Sequence, residues 1–181
     1  MDMILSPEMR STGEVMGIDY DLGCAFVKAY QAASVHLPLR GRVLISVKHT
    51  DKRAIVGEAR MLASMGFELI ATDGTHKALT SAGLEATRVN KVHEGRPHIV
   101  DLVKNRELDL LLNTPAGKQQ RYDDSAIRAS AISVGIPCVT TLAGIRMVVS
   151  ALSALQREEL SVRSLQKYHA DLKPIEKAVE A

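Results

Sequence analysis

The sequence predicts an α/β fold, a three-layer α/β/α sandwich built on a five-stranded parallel sheet. Three observations predict it. From Arg42 onward, short apolar runs alternate with stretches of helical periodicity. Glycines close those helical stretches at Gly66, Gly83 and Gly135. No repeat or low-complexity tract interrupts the alternation, so right-handed crossovers place helices on both faces of a mostly parallel sheet.

The elements follow in order. The opening MDMILSPEMRSTGEVMGID is rich in turn formers and ends at a candidate helix cap. Leu22, Ala25, Phe26, Ala29, Tyr30 and Ala33 then keep helical spacing. VHLPLRG (35–41) carries a Pro and a Gly and reads as a linker, so a boundary is placed between residues 1–38 and 39–181. RVLISV (42–47) is a buried strand, and Asp51 is placed to cap a helix whose Ile55, Ala59 and Leu62 share a face. FELIA (67–71) is the second strand, THKALTSAG (75–83) a short helix and EATRV (85–89) a weaker strand. Pro97 suits the first turn of a helix carrying Ile99, Val100, Leu102 and Val103. LDLLLN (108–113) is the fourth strand, and Asp123 or Asp124 caps a helix through Ile127, Ala131 and Val134. PCVTTL (137–142) is the fifth strand, followed by a helix from about Gly144 to Gln156. The charged tail from Arg157 contains Pro174 and reads as a helix or strap fraying toward Ala181.

At 181 residues, one core with appendages is expected, and 46% hydrophobic with 24% charged residues is ordinary for a soluble globular chain. A net charge of +2 with no basic block gives no argument for nucleic acid or an anionic membrane. Aromatics at 3%, with no Trp, argue against a base-stacking platform. Cys24 and Cys138 match no zinc or redox spacing and read as buried reduced thiols. No apolar run approaches the roughly 18 residues of a membrane span, and the N-terminus lacks a signal-peptide pattern. A cytoplasmic protein is expected.

In open α/β sheets, ligands bind in the crevice outside the carboxyl ends of the strands. Strand one ends in Ser46, with Lys48 and Lys52 beyond it, and strand two in Thr72, Gly74 and Thr75. Strand three runs into Asn90 and Lys91, strand four into Asn113 and Thr114, and strand five into Thr140 and Thr141. Each residue alone is a good strand or cap residue. Jointly they supply hydroxyls, amides and ammonium groups to one crevice, which suits a phosphate. Gly74 would let the backbone approach such a ligand closely. Neither GxGxxG nor GxxxxGK[ST] occurs, which disfavours a dinucleotide or Walker-type site.

The candidate acid–base groups are Asp73, His76, His93, Glu94 and His98. His93 and His98 are five apart and split by Pro97, a poor spacing for a metal. No serine has the nucleophile-elbow setting, so binding is favoured over catalysis.

Several stretches carry a family resemblance. PEMRSTGEVMG (7–17) resembles the closing segment of the second ATP-grasp half of carbamoyl-phosphate synthase large chains. LISVKHTDK (44–52), ATDGT (71–75), NKVHEGRPHIVDLVKN (90–105) and LLNTPAGK (111–118) resemble the C-terminal regulatory domain of those chains, which is of the methylglyoxal-synthase-like type. The resemblance implies a domain that binds UMP as inhibitor and IMP as activator. It implies that the monophosphate is held by Lys52, Thr72, Thr75, Lys91, Asn113 and Thr114, with Ser46 nearby and Thr140 as a second effector contact. Pro115 stands where enterobacterial members have a second threonine. The loop after Gly117 looks slightly longer, so Asp124 and Ser125 are not carried over as ribose contacts. Cys138 replaces the tyrosine of an ornithine site, so the resemblance does not extend to ornithine regulation.

The resemblance further implies a piece of a larger ligase, beginning in the last turns of its synthetase domain. ATP, Mg and K, the glutaminase small chain and the rest of the large chain would belong to that parent, and the piece itself is expected to need no cofactor. The apolar face of the Leu22–Ala33 helix is then expected to be exposed or self-associated, as in a homo-oligomer. Two other expectations compete. A methylglyoxal synthase-type lyase would need Asp73 or Glu94 as base beside the phosphate, although HEGRPH stands where that family has a Gly-Gly-Asp stretch. A purely structural oligomerisation domain would show no nucleotide response.

Overall fold

At the centre of the sheet lies β1 (Gly41–Ser46), whose Val43, Leu44 and Ile45 are fully buried. Consecutive buried apolar residues need cover on both faces of the strand. A computed structural model describes residues 15–115, 121–157 and 160–171. The chain up to residue 14, Gly117, Lys118 and Pro174 lie outside the described residues, as do the side chains of Asp123 and Asp124.

β2 (Phe67–Thr72) and β4 (Leu110–Asn113) flank β1, and β3 (Thr87–Val89) and β5 (Cys138–Val139) form the edges. The order is β3-β2-β1-β4-β5, with every pairing parallel. Ile45 is level with Ala71 on one side and Leu112 on the other, and Ser46 with Asn113. The chain winds outward from β1 to β3, then returns to the far side of β1. Its direction of winding therefore reverses between β1 and β4, the place where open α/β sheets form a crevice.

Side chains alternate across the sheet and build two cores. On one face Val43, Ile45, Leu69 and Leu112 meet α2 (Lys52–Ser64), α3 (Asp73–Ser81) and α6 (Leu142–Arg157) through Ile55, Leu62, Leu79, Val148 and Leu152. On the other, Leu44, Ile70 and Leu111 meet α4 (Ile99–Lys104) and α5 (Arg121–Val134) through Ile99, Val103, Ile127 and Ala131. This is the three-layer sandwich that the sequence predicts.

Several boundaries differ from expectation, each for a local reason. α3 begins at Asp73 rather than Thr75: Thr72 takes the extended cap conformation, and Asp73 pairs one turn on with Lys77. Asp73 and Gly74 thus belong to the helix. Pro97 precedes α4 instead of opening it, because His98 is the cap and the Asp101 carboxylate accepts from the His98 N–H at 3.0 Å. α5 starts at Arg121, which puts Asp123 and Asp124 inside its first turn rather than at its cap. Thr141 caps α6, its hydroxyl oxygen accepting from the Gly144 N–H at 3.1 Å, so β5 is shorter than the expected 137–142.

α1 (Leu22–Ala32) starts where expected, but its cap is Asp21 rather than Asp19, the Asp21 carboxylate accepting from the Cys24 N–H at 2.9 Å. Its buried face is a correction: Gly23, Cys24 and Val27 are buried, whereas Leu22 is 67% exposed. The helix is seated on α6 at Gly23, where an added Cβ would stand 2.9 Å from both the Ala154 Cβ and the Ser150 carbonyl oxygen. Closest backbone approach, not the largest side chains, selects the face. Nor is the expected apolar stripe left unpartnered, since Phe26 and Tyr30 pack onto the first core. The tail forms α7 (Leu165–Asp171), which returns to the start of the described chain. The buried Tyr168 donates its hydroxyl to the Ile18 carbonyl at 3.1 Å, and the Tyr20 hydroxyl donates to Asp171 at 3.1 Å.

Cys24 is buried and Cys138 half-buried, and burial pushes the Cys138 thiol up to about 11. No helix among the described residues is long and apolar enough to cross a membrane.

The seating of α1 is testable. Gly23→Val should overpack the α1–α6 contact and cost about 1–3 kcal/mol, read as a lower urea midpoint. An unchanged midpoint would mean that α1 does not rest on α6 through this glycine.

Candidate functional site

Among the described residues, the buried polar side chains are Thr72, Thr75, Asn113 and Thr114, at 3%, 1%, 1% and 4% exposure. All four lie at the carboxyl edge of the sheet, beside the β1–β4 reversal. Burying polar atoms is costly unless they are hydrogen-bonded.

Hydrogen bonds tie this edge to the chain leaving β1. The Thr72 hydroxyl lies 3.3 Å from the Ser46 hydroxyl, across the β1–β2 pair, and can donate to it. Thr75, in the first turn of α3, accepts from the Val47 N–H at 3.3 Å. Thr114 accepts at its hydroxyl from the Lys48 N–H at 3.0 Å, and its own N–H donates to the Ser46 carbonyl at 3.1 Å. Thr75 and Thr114 thus each spend an acceptor position on a backbone N–H, leaving the hydroxyl proton to donate. The backbone donors of Val47 and Lys48 carry no side-chain signal, and sequence reasoning missed them.

Thr72 makes no side-chain cap to α3, so the first N–H groups of that helix are open to a ligand. Above them stands Lys52, the first residue of α2. A Cβ at Gly74 would collide with the Lys52 Nζ. The sequence suggests that Gly74 admits a ligand to the backbone; in the structure the space above it holds this ammonium.

Lys91 and Thr140 flank the cluster. Lys91 lies two residues beyond Val89, the partner of Thr72 on the neighbouring strand. Thr140 follows Val139, the partner of Leu112, and so stands level with Asn113. The structure brings Ser46, Lys52, Thr72, Thr75, Asn113 and Thr114 together and sets Lys91 and Thr140 on either side. Thr141 is a helix cap, and Ser125 is exposed on α5. Hydroxyl, backbone N–H and ammonium donors converging on one edge can receive an anion.

The acid–base candidates are engaged elsewhere. Asp73 pairs with Lys77 at 2.8 Å and with Arg88 at 3.4 Å. The Lys77 hydrogen bond, chiefly, holds its carboxyl below the usual carboxylate range. The Glu94 carboxylate accepts from the Lys91 N–H at 2.9 Å and closes a short turn, Val92–Glu94. His76 Nε2 lies 3.1 Å from the Ala86 carbonyl oxygen. Arg96 and His98 surround Asp101, whose carboxyl is lowered first by the Arg96 hydrogen bond and then by the His98 N–H. Among the described residues, no group of three His, Cys, Asp or Glu could hold a metal ion.

Comparison with known proteins adds three findings. Residues 54–140 match the family described as MGS-like domain. The chain is 45% identical over 172 residues to the carbamoyl phosphate synthase large chain of Archaeoglobus fulgidus, covering 94% of this chain and 16% of that relative. The large chains of Myxococcus xanthus (49% over 168 residues) and Pseudomonas putida (48% over 173) match 93% and 96% of this chain and 16% of their own length. The chain thus spans about one sixth of the curated relatives it matches. The crystal structure of methylglyoxal synthase from Elizabethkingia anophelis superposes with a TM-score of 0.53 at 18% identity, over 77% of this chain and 96% of that one. At that identity the likeness shows the fold alone.

The pairing of Asp73 gives a titration with a defined sign. A carboxyl held below its ordinary value stabilises the fold above that value, and the contribution disappears as pH falls through the folded midpoint. Carbon-detected NMR should place the Asp73 midpoint below the ordinary aspartate range, and Lys77→Ala should move it upward. A wild-type midpoint above the ordinary aspartate range would return Asp73 to candidacy as a base.

Proposed function

The chain belongs to the MGS-like domain family, in the form found in carbamoyl phosphate synthase large chains, and on that premise we propose that it senses a nucleoside monophosphate for such a ligase. The ligand is UMP or IMP, held by its phosphate at the polar edge between β1 and β4. The observation that carries this proposal is the placement of the buried Thr72, Thr75, Asn113 and Thr114 together at that edge.

The phosphate lies over the N-terminus of α3, with Lys52 and Lys91 supplying positive charge and the hydroxyls of Ser46, Thr72, Thr75 and Thr114 fixing its orientation. A lysine within about 4 Å of a phosphate oxygen gains on the order of 4 kcal/mol before desolvation, against roughly 0.3–1 for a helix dipole. The lysines therefore set affinity. Thr140, level with Asn113, is a second contact for the effector. ATP, Mg, K and the glutaminase small chain belong to the rest of the ligase, which acts in the cytoplasm.

Regulation requires the effector to favour one of two states of the larger chain. A mechanical route is at hand: Thr141 caps α6 next to Thr140, and α6 carries α1 and the chain leading into it. A phosphate-eliminating lyase is not favoured, because Asp73 and Glu94 are both committed to other partners.

Thermal melts test the proposal. UMP or IMP at about 100 times its Kd should add roughly 2.7 kcal/mol and raise the Tm by about 5–10 °C. Lys52→Ala and Lys91→Ala should each shrink that shift at the same nucleotide concentration. No shift with either nucleotide, or an undiminished shift in both variants, would remove the site assignment. With dihydroxyacetone phosphate the chain should form no methylglyoxal above the uncatalysed rate, and a clear turnover would reinstate the lyase.

A further inference from the structure

Gly74 stands in an ordinary helix, in the first turn of α3, and its φ lies outside the left-handed region. No backbone conformation calls for glycine there, and glycine is among the poorest residues for a helix. Its role is therefore sought in the space it leaves, which is occupied by the Lys52 Nζ and Cε, the latter 3.2 Å from where a Cβ would stand.

The placement of that ammonium is electrostatically unfavourable in the free protein. It rests against the positive end of α3, and Lys52 forms no ion pair or hydrogen bond with any described residue. The nearest carboxylate in the chain of α3, that of Asp73, is taken by Lys77 and Arg88. Asp51, the residue before Lys52, lies 3.8 Å from Lys48 and accepts from the Thr50 hydroxyl. A half-buried cation is thus held over open helix N–H groups with its local carboxylates turned to other partners.

We infer that Gly74 is a positioning residue of the site: by lacking a Cβ it lets Lys52 reach from α2 across to the N-terminus of α3, where ammonium and helix N–H groups meet one phosphate together. This inference rests on the phosphate site proposed above. Any side chain at 74 would occupy the ammonium's place. Because the displaced atom is the tip of a flexible side chain, the fold accommodates the change by swinging Lys52 aside. The damage then falls on the ligand and not on stability.

A double-mutant cycle tests this, with UMP, IMP and inorganic phosphate titrated calorimetrically into wild type, Gly74→Ala, Lys52→Ala and the double variant. Gly74→Ala should weaken binding about 10- to 100-fold, as Lys52→Ala does, since each removes the same charged hydrogen bond. In the Lys52→Ala background, Gly74→Ala should cost nothing further. The urea midpoint of free Gly74→Ala should equal or exceed that of wild type. The loss should be the same factor for UMP and IMP, because it acts on their shared phosphate. Wild-type affinity in Gly74→Ala, or a further loss of equal size in the double variant, would overturn the inference while leaving the site intact. A wild-type chain that binds none of the three probes would overturn the site and the inference together.

Discussion

The pairing of β1 with β4 is the constraint on which the rest of the molecule depends. It sets Ser46 level with Asn113 and brings the Thr114 N–H to the Ser46 carbonyl. Because β2 already occupies the other side of β1, the chain must recross the sheet to make this pair. That reversal leaves the carboxyl ends of β1, β2 and β4 side by side, with helix starts rising from two of them. The buried hydroxyls of Thr72 and Thr75 thereby come beside Asn113 and Thr114, although some forty residues of chain separate the pairs.

The same edge combines satisfied and unsatisfied polarity. Its hydroxyls are fixed by backbone N–H groups from the segment leaving β1, which preorganises their remaining protons. Its cation is left against a like-signed helix end. Preorganised donors need little reordering when a ligand arrives, and an anion relieves the repulsion. Away from the edge the molecule is braced: Gln156 of α6 donates to the carbonyls of Leu39 and Met65, and Glu58 of α2 lies 3.6 Å from Arg146 of α6. A shift at the edge would thus be carried by α6 as a body toward α1 and the Tyr20–Tyr168 contact.

Much of this was legible in the sequence where burial is two-sided. β1, β2 and β4 announce themselves as apolar runs because helices cover both faces. The edge strands β3 and β5 are short, half covered and harder to bound. The polar residues at the strand ends could be gathered from order alone, since parallel strands bring every carboxyl end to one side. Local chemistry misled at three points. The helix expected from Thr75 already starts at Asp73, Thr141 resembles its neighbour Thr140 but caps α6, and Pro97 sits outside the helix it was expected to open. The face of α1 and the space above Gly74 were not legible, because each is set by a contact with a distant element.

An amide chemical-shift titration with UMP locates the ligand without any substitution. The largest shifts should fall on Val47, Lys48, Asp73, Gly74, Thr75 and Thr114, the backbone donors at the edge beside β1 and β4. Saturable shifts confined to the opposite edge of the sheet, or to the exposed face of α1, would contradict it.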